Sequence, residues 1–336
     1  MKNSGLIISS GHDNEDLEDR SDTESELELR PLFIGSHLHG LRFDQALVEL
    51  VPEFSRSYLQ QLIQRGAVTL DRLSACKAST RVRAGDCGSI ELRPTPQSQA
   101  FKAEAMALDI VYEDEHLLII NKPAGLVVHP APGNWSGTLL NGLLAFDAKA
   151  VNMPRAGIVH RLDKDTSGLM VVARTRQVMD ALIRAIAARD VGRQYLALAH
   201  HRWVGSDSRR VDLPIGRDPR NRLRMAVVDL AKNAGKEACT DIELLQNGDQ
   251  GCLVRCTLHT GRTHQIRVHM AAIGHPLVAD ELYGGAAAAD LQRQALHAFR
   301  LALVHPVTQQ AMVFRAELPH DLSLALSLWG LSYNCA

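Results

Sequence analysis

Side chains able to carry out chemistry are concentrated in residues 160–175, which read His-Arg-Leu-Asp-Lys-Asp-Thr-Ser-Gly-Leu-Met-Val-Val-Ala-Arg-Thr. Two carboxylates in this segment, Asp163 and Asp165, stand near cationic side chains, and an ionised carboxylate can act as a covalent nucleophile. The Thr-Ser-Gly sequence predicts a turn, and the apolar run after it predicts a buried strand. A polar loop anchored on a rigid strand is a frequent location for catalytic residues.

The same segment resembles the catalytic motif of the RluA-type pseudouridine synthases, in which His-Arg-Leu-Asp is followed by Thr-Ser-Gly-Leu. The resemblance implies that Asp163 is the catalytic nucleophile of an enzyme that isomerises uridine in RNA. We interpret Asp165 as a turn or cap residue. Arg161 lies two residues before Asp163, so in an extended segment both side chains point to the same side. In the family this arginine can fill the space left by a flipped base.

Two further segments carry the resemblance. In the context Arg-x-Tyr-x-Ala the family places an aromatic residue that stacks on the target base, and here that position is Tyr195. The alternative interpretation of Tyr195 is a buried core residue. A His-Gln-x-Arg unit ends at Arg267, and the resemblance implies that this arginine forms an ion pair with Asp163. The resemblance extends over nearly the whole chain, from about residue 40 to residue 318.

The implied reaction requires few groups. It breaks the bond between ribose and the uracil nitrogen and reattaches the base through carbon 5, without redox chemistry. The sequence contains neither a P-loop nor a Gly-rich dinucleotide-binding motif, so no cofactor is expected. The base must leave the helical stack before the junction is accessible.

The His-Gln-x-Arg unit lies in residues 259–270, which we call the second motif. Three histidines in this motif raise the question of a metal site. His259, His264 and His269 match no zinc-binding spacing, and no cysteine or carboxylate completes the set. We therefore predict no metal. His129 precedes a proline in a loop, and we interpret it as a structural hydrogen-bonding residue rather than a catalytic base.

Arginines are clustered where RNA phosphates could bind. Four of them fall in a predicted hairpin over residues 214–225, and arginine at that density suits phosphate oxygens, although a solvated face is the alternative. A small module over residues 40–92 resembles an RNA-binding domain shared with a small-subunit ribosomal protein, and its arginines would contact phosphates. The predicted RNA-binding residues are Arg161, Arg217, Arg220, Arg222, Arg262, Arg56 and Arg65.

The amino-acid composition limits which class of protein this chain can belong to. The 336 residues are 46% hydrophobic and 22% charged, which is typical of globular domains. No apolar run approaches the roughly 18 residues of a membrane span. The six cysteines are scattered, which favours reduced thiols in the cytoplasm. The net charge is −1, but residues 1–30 hold nine acids and three bases, so the rest of the chain carries 34 bases and 29 acids, a net +5 compatible with nucleic acid.

We predict four parts: an acidic, disordered tail at 1–35, a small αβ RNA-binding domain at 36–93, a linker at 94–105 and a catalytic domain at 106–336. Many short strands with few regular βα repeats favour an α+β fold. The family fold that the resemblance implies is a mixed, mostly antiparallel central sheet flanked by helices.

The favoured function is an RNA pseudouridine synthase of the branch that modifies large-subunit ribosomal RNA, with a stem-loop or a pre-ribosomal particle as partner. Alternatives are the same chemistry on transfer RNA or another ribosomal site, a non-catalytic RNA-binding assembly factor, and a small-molecule glycosidase. We expect a cytoplasmic monomer with no membrane partner.

Overall fold

The computed structural model describes residues 28–52, 56–73, 76–92, 98–131, 133–221 and 224–333. The chain divides into two compact units, residues 1–95 and residues 96–336. No helix in these described ranges is long and apolar enough to cross a membrane.

The first unit is a three-stranded antiparallel sheet with two helices. The strand order is β1-β3-β2. Apolar residues at helical spacing on both helices join the sheet in one core, in which Phe43, Leu47 and Leu59 are fully buried. Its elements are β1 (Glu28–Phe33), α1 (Phe43–Leu50), α2 (Arg56–Gln64), β2 (Val68–Leu70) and β3 (Cys87–Leu92).

The predicted disordered tail at 1–35 extends too far, because β1 is a strand of this sheet. Leu32 and Ile34 alternate with exposed residues and are buried in the core of the first unit. This period of two indicates a half-buried strand, and the burial of two large apolar side chains outweighs the acidic composition of the segment before it.

The second unit is built on a nine-stranded mixed sheet in the order β4-β5-β6-β14-β7-β13-β12-β8, with β15 paired to β14. Among the described strands of this sheet only β6 and β14 are parallel, which confirms the predicted α+β fold with a mostly antiparallel sheet. Its strands are β4 (Ile110–Glu113), β5 (Leu117–Lys122), β6 (Ser167–Ala173), β7 (Gly192–His200), β8 (Ser208–Asp212), β12 (Cys239–Asn247), β13 (Gly251–Leu258), β14 (Leu296–Val304) and β15 (Ala311–Arg315). A small separate sheet contains β9 (Ile215–Arg217), β10 (Met225–Val227) and β11 (Gly235–Lys236).

Helices cover both faces of the large sheet. Alternate residues of β5 and β6 pack on opposite faces: Leu118 joins one core with α3 and α5, whereas Leu117 joins another with α4. A third core holds α6 against the far end of β7. The helices are α3 (Leu139–Phe146), α4 (Arg176–Ala188), α5 (Gln265–Ala272) and α6 (His320–Leu328).

Part of the predicted linker belongs to the second unit. Residues 98–101 form a short 3-10 turn, and Asn141 Nδ2 on α3 donates hydrogen bonds to the carbonyl oxygens of Ala100 and Lys102. The division between units falls at Thr95, inside the predicted linker. The polar, proline-containing sequence indicated a linker, but it did not show that a buried side chain on α3 fixes its second half.

The pairing of β6 with β14 places the loop that contains Asp163 at the middle of the sheet. Gly168 has a φ of +114°, and a Cβ there would lie 2.6 Å from the backbone nitrogen of Ala298 on β14. Only glycine fits this close approach of two strands. Ser167 and Gly168 are therefore the first residues of β6 and not part of the predicted turn, which lies at Lys164 and Asp165.

Candidate active site

A cavity of about 630 Å³ opens beside the loop before β6. Its wall joins segments that are far apart in the sequence: the loop around Asp163, the start of β7 with Tyr195, and the turn from residue 258 to Arg267 at the start of α5. Arg161 and Arg262 also line it. The structure thus brings together five of the predicted site residues in one cavity.

Arg267 contacts two carboxylates at once. Its Nε and Nη2 each donate to Asp280 at 2.8 Å, and its Nη1 donates to Asp163 Oδ2 at 3.2 Å. The Asp280 side chain is 1% exposed, whereas that of Asp163 is 17% exposed and faces the cavity. Two carboxylates raise the pKa of Arg267 above its ordinary value despite burial, so the guanidinium stays charged. The Tyr283 ring stacks at 5.0 Å from the guanidinium carbon.

Asp280 was not predicted as a site residue. It ends a segment, residues 273–280, that carries the family resemblance, but nothing in its spacing shows that it binds an arginine 13 residues earlier. Without Asp280 the plane of the Arg267 guanidinium would no longer be fixed relative to Asp163. Bidentate geometry holds its plane.

His264 faces the other oxygen of Asp163. Its Nε2 lies 3.8 Å from Asp163 Oδ1, and its Nδ1 lies 2.8 Å from the Tyr283 hydroxyl. The backbone N–H of Met225 donates to the same hydroxyl, so the Tyr283 hydroxyl links His264 to β10. Burial lowers the pKa of His264. His264 itself has a φ of +56° at the start of α5.

Lys122 fixes the backbone beside Asp163. Its side chain is fully buried at the end of β5, and Nζ donates to the carbonyl oxygens of Pro123, Leu126 and Lys164. Burial lowers the pKa of this lysine to about 8, so at pH 7 the ammonium supplies one hydrogen to each carbonyl. A buried lysine satisfied entirely by backbone indicates a positioning role.

Asp165 does not line the main cavity. It borders a separate cavity of about 230 Å³, and its backbone carbonyl accepts a hydrogen bond from Arg293. The backbone N–H of Thr166 donates to the carbonyl of Asp163, which closes the turn between the two aspartates. This placement agrees with a turn role for Asp165.

The side chain of Gln265 holds the backbone of the second motif in place through hydrogen bonds. Its Oε1 accepts from Thr260 Oγ1 and from the backbone N–H of Arg262, and its Nε2 donates to Thr240 Oγ1 and to a carbonyl of β12. All of these bonds are internal to the protein, so Gln265 fixes the turn that presents His264 and Arg267.

Tyr195 and two histidines line the cavity in a neutral state. Tyr195 is 5% exposed, and burial raises its pKa to about 12. Its ring belongs to the core and also borders the cavity, so both interpretations of the sequence describe part of its environment. Burial lowers the pKa of His129 to about 4 and that of His160 to about 3. His160 Nε2 accepts the backbone N–H of Val171, which anchors the loop to β6.

The predicted RNA-binding arginines lie in different settings. Arg161 is exposed at the cavity, and Arg262 Nε donates to the carbonyl of Glu237. In the hairpin β9–β10, Arg217 and Arg220 are exposed, whereas Arg222 lies outside the described residues.

Several arginines near these have acidic partners that the sequence did not reveal. Arg224 forms an ion pair with Asp218 at 2.5 Å. In the first unit Arg56 donates to the buried Asp44 at 2.8 Å, so its charge helps to fold that unit. Arg65 is exposed.

A cysteine and a carboxylate approach His259 in the structure, which contradicts the prediction that neither completes a set with the histidines. Donor atoms of Cys239, Asp241 and His259 lie within 4.8 Å of one another. The thiol of Cys239 has a pKa raised to about 11 by burial and by Asp212, with which it shares a hydrogen bond. Arg210 Nε also donates to Asp212 at 3.1 Å. A protonated thiol beside a guanidinium is a poor cation site.

Comparison with known proteins agrees with the geometry. A family model described as RNA pseudouridylate synthase matches residues 116–272. The chain is 44% identical over 328 residues to the "Ribosomal large subunit pseudouridine synthase D" of Neisseria meningitidis serogroup B, which covers 94% of this chain and 85% of that protein. It is 46% identical over 304 residues to the protein of the same name from Nitrosomonas europaea, covering 88% and 86%. Among solved structures, human RNA pseudouridylate synthase domain containing 1 matches with a TM-score of 0.52 and 28% identity, over 65% of this chain and 87% of that one.

Proposed function

The chain belongs to the RluA-type pseudouridine synthase family and isomerises uridine to pseudouridine in RNA; we propose that its substrate is large-subunit ribosomal RNA and that Asp163 is its nucleophile. Identity of 44–46% to proteins named for the large ribosomal subunit, over most of both chains, supports the substrate. The observation that carries the nucleophile is the position of Asp163, a carboxylate on the cavity wall held by Arg267. The proposed location is the cytoplasm, and the proposed active form is a monomer.

The geometry supports a carboxylate that is held in one orientation at the cavity by a charged arginine. Because Arg267 binds Oδ2 of Asp163, Oδ1 remains directed at the cavity and His264. One oxygen is thereby oriented and the other is available to the substrate.

The cavity also suits a nucleotide turned out of its helix. Unstacking a base costs a few kcal/mol, and stacking on an aromatic ring returns about 1–3 kcal/mol. Tyr195 borders the cavity and provides that ring. Arg161, exposed at the same cavity, is positioned to enter the space left in the RNA. The isomerisation breaks the bond from ribose C1′ to uracil N1, forms the bond to C5, and moves the C5 proton to the ring nitrogen, so the atoms balance without a cofactor.

The test is a single-turnover reaction on a large-subunit ribosomal RNA transcript, with pseudouridine mapped at nucleotide resolution. We expect modification at a few discrete uridines, and a loss of about 10³-fold or more in rate for Asp163→Asn with RNA binding retained. Asp165→Asn is the matched control and should remain within about tenfold of the wild type, because Asp165 does not line the cavity.

Each alternative function predicts a different result. Modification of transfer RNA but not of the ribosomal transcript would overturn the proposed substrate and keep the chemistry. Tight binding without modification of any RNA would indicate an assembly factor. Cleavage of free uridine would indicate a glycosidase. Full activity of Asp163→Asn would refute the assigned nucleophile.

A further inference from the structure

One of the arginines that border the cavity has a buried Nε without a hydrogen-bond partner among the described residues. Arg193, on β7, is 6% exposed and lines the cavity that contains Asp163. Its Nε is buried without a hydrogen-bond acceptor in the described parts of the chain. A buried charge without compensation is costly, so its presence requires an explanation other than stability.

The strand places Arg193 beside the position proposed for the base. Arg193 and Tyr195 are two residues apart on β7, so their side chains lie on the same face of the sheet at a spacing of about 7 Å along the strand. Both are buried and both line the cavity. A base stacked on Tyr195 would therefore have its sugar and phosphate within reach of a neighbouring long side chain.

A glycine in the second motif keeps the end of Arg193 accessible. A Cβ built on Gly261 would lie 2.8 Å from Arg193 Nη1. Gly261 has no positive φ, so its backbone does not itself require glycine. A side chain at this position would require the guanidinium of Arg193 to move.

The groups around Arg193 leave its charge for a ligand. Asp163 is bound by Arg267, and His160 and Tyr195 are neutral. The other charged residues at this side of the cavity, among them Arg155, Arg161 and Arg189, are themselves cationic. An RNA substrate offers one strong anion, its phosphodiester, which a guanidinium binds through paired N–H donors.

We propose that Arg193 binds a phosphate adjacent to the flipped uridine and so positions that nucleotide over Asp163. The proposal rests on the proposed RNA substrate and adds a contact residue to the site. Arg193 is an interior contact at the reacting nucleotide, whereas Arg217 and Arg220 are exposed on the hairpin. Its neutralisation by substrate occurs only in the complex, so the energetic penalty in the free enzyme is returned on binding.

The first test combines activity with stability. Arg193→Met keeps an unbranched apolar side chain and removes the charge. We expect its single-turnover rate on an RNA that the wild type modifies to fall at least tenfold, and its unfolding midpoint in urea to equal or exceed that of the wild type. Arg193→Lys should recover part of the rate. A purely structural arginine would give the opposite pattern, lower stability with the rate retained, and that result would overturn the proposal.

The second test identifies the contacted group. A synthetic stem-loop containing the target uridine is made with a neutral methylphosphonate at each flanking phosphate in turn. We expect one of the two to slow the wild type at least tenfold and to have no further effect on Arg193→Met. Additive effects at both positions would show that Arg193 contacts something else, such as a uracil carbonyl, and would refute the phosphate assignment.

Gly261→Ala provides an independent check without removing the charge. The added methyl group should displace the guanidinium, so the variant should lose rate as Arg193→Met does, and the double variant should be no slower than the single ones. Strict additivity would contradict the proposal. If the wild type modifies no RNA, the proposed function fails first, which is a different result from normal activity in Arg193→Met.

Discussion

Arg267 contacts Asp163 through one nitrogen only, because Asp280 occupies Nε and Nη2 of the same guanidinium. A bidentate pair with Asp163 would cover both of its oxygens. Because Arg267 is shared between the two carboxylates, it fixes only Oδ2 of Asp163 and leaves Oδ1 open to the cavity. A nucleophilic carboxylate requires one such open oxygen. The buried carboxylate of Asp280 therefore determines how the partly exposed carboxylate of Asp163 is oriented.

Asp280→Asn tests whether the sharing of the Arg267 guanidinium between two carboxylates matters for the reaction. An amide accepts one of the two guanidinium hydrogen bonds and presents an N–H₂ group to the other, leaving a buried charge poorly compensated. We expect the free energy of unfolding to fall by about 3–5 kcal/mol and the single-turnover rate to fall at least tenfold as Arg267 turns towards Asp163. Urea unfolding and rate measurements check both. Asp180→Asn, which breaks the exposed ion pair with Arg176, should cost no more than about 0.5 kcal/mol; an equal loss in both variants would contradict the role of Asp280.

The motifs predicted the residues that meet at the cavity better than the residues that hold them there. Asp163, Tyr195 and Arg267 were assigned because their local sequence resembles a family motif, and a motif is a short-range pattern. Asp280 and Lys122 act through contacts whose partners are set by the tertiary fold. Their sequence neighbours give no signal of what they bind.

The same limit applies to the fold. The apolar run after Thr-Ser-Gly predicted the buried strand β6, since such a pattern depends on neighbours a few positions away. The boundary of the acidic tail was wrong because composition was averaged over a segment that ends in a strand. Acidic partners such as Asp44 and Asp218 were also missed, because they become neighbours of arginines only in three dimensions.

Lys122 should make the reaction depend on pH. Below its pKa of about 8 the ammonium gives one hydrogen to each of three carbonyls. The neutral amine above that pH has only two hydrogens, so the loop carrying Asp163 loses a support. We expect the single-turnover rate to decline between pH 8 and 9 in the wild type. In Lys122→Met the rate should already be lower at pH 7 and should not decline further.

The matched control is Lys164→Met. The Lys164 side chain is exposed, and only its backbone carbonyl accepts from Lys122. This variant should keep the decline between pH 8 and 9. A decline of equal size in Lys122→Met would show that another group titrates.

His160 should contribute to acid sensitivity. Burial lowers its pKa from 6.5 to about 3, so below pH 6.5 the unfolded chain binds a proton that the folded protein does not bind until about pH 3. The free energy of unfolding therefore falls as the pH decreases through this window, by up to about 1.4 kcal/mol per unit from this residue. In His160→Gln an amide oxygen can accept the Val171 N–H without titrating. We expect a shallower fall between pH 6 and pH 4 in urea unfolding; an unchanged slope would contradict this prediction.

Gly168→Ala should affect stability far more than an ordinary glycine substitution. Its positive φ costs an L-residue about 1–2 kcal/mol, and the new methyl group would collide with the backbone of Ala298, which cannot rotate away as a side chain can. Overpacking adds about 1–3 kcal/mol, so we expect a total loss of about 2–5 kcal/mol in the free energy of unfolding. Gly274→Ala is the control, since Gly274 has a φ of +88° but nothing within 4 Å of the added group. It should lose only the backbone contribution. Because β6 carries the loop with Asp163, any Gly168→Ala protein that folds should also be slower in single turnover. Equal losses at the two glycines would show that the close β6–β14 pairing does not require glycine.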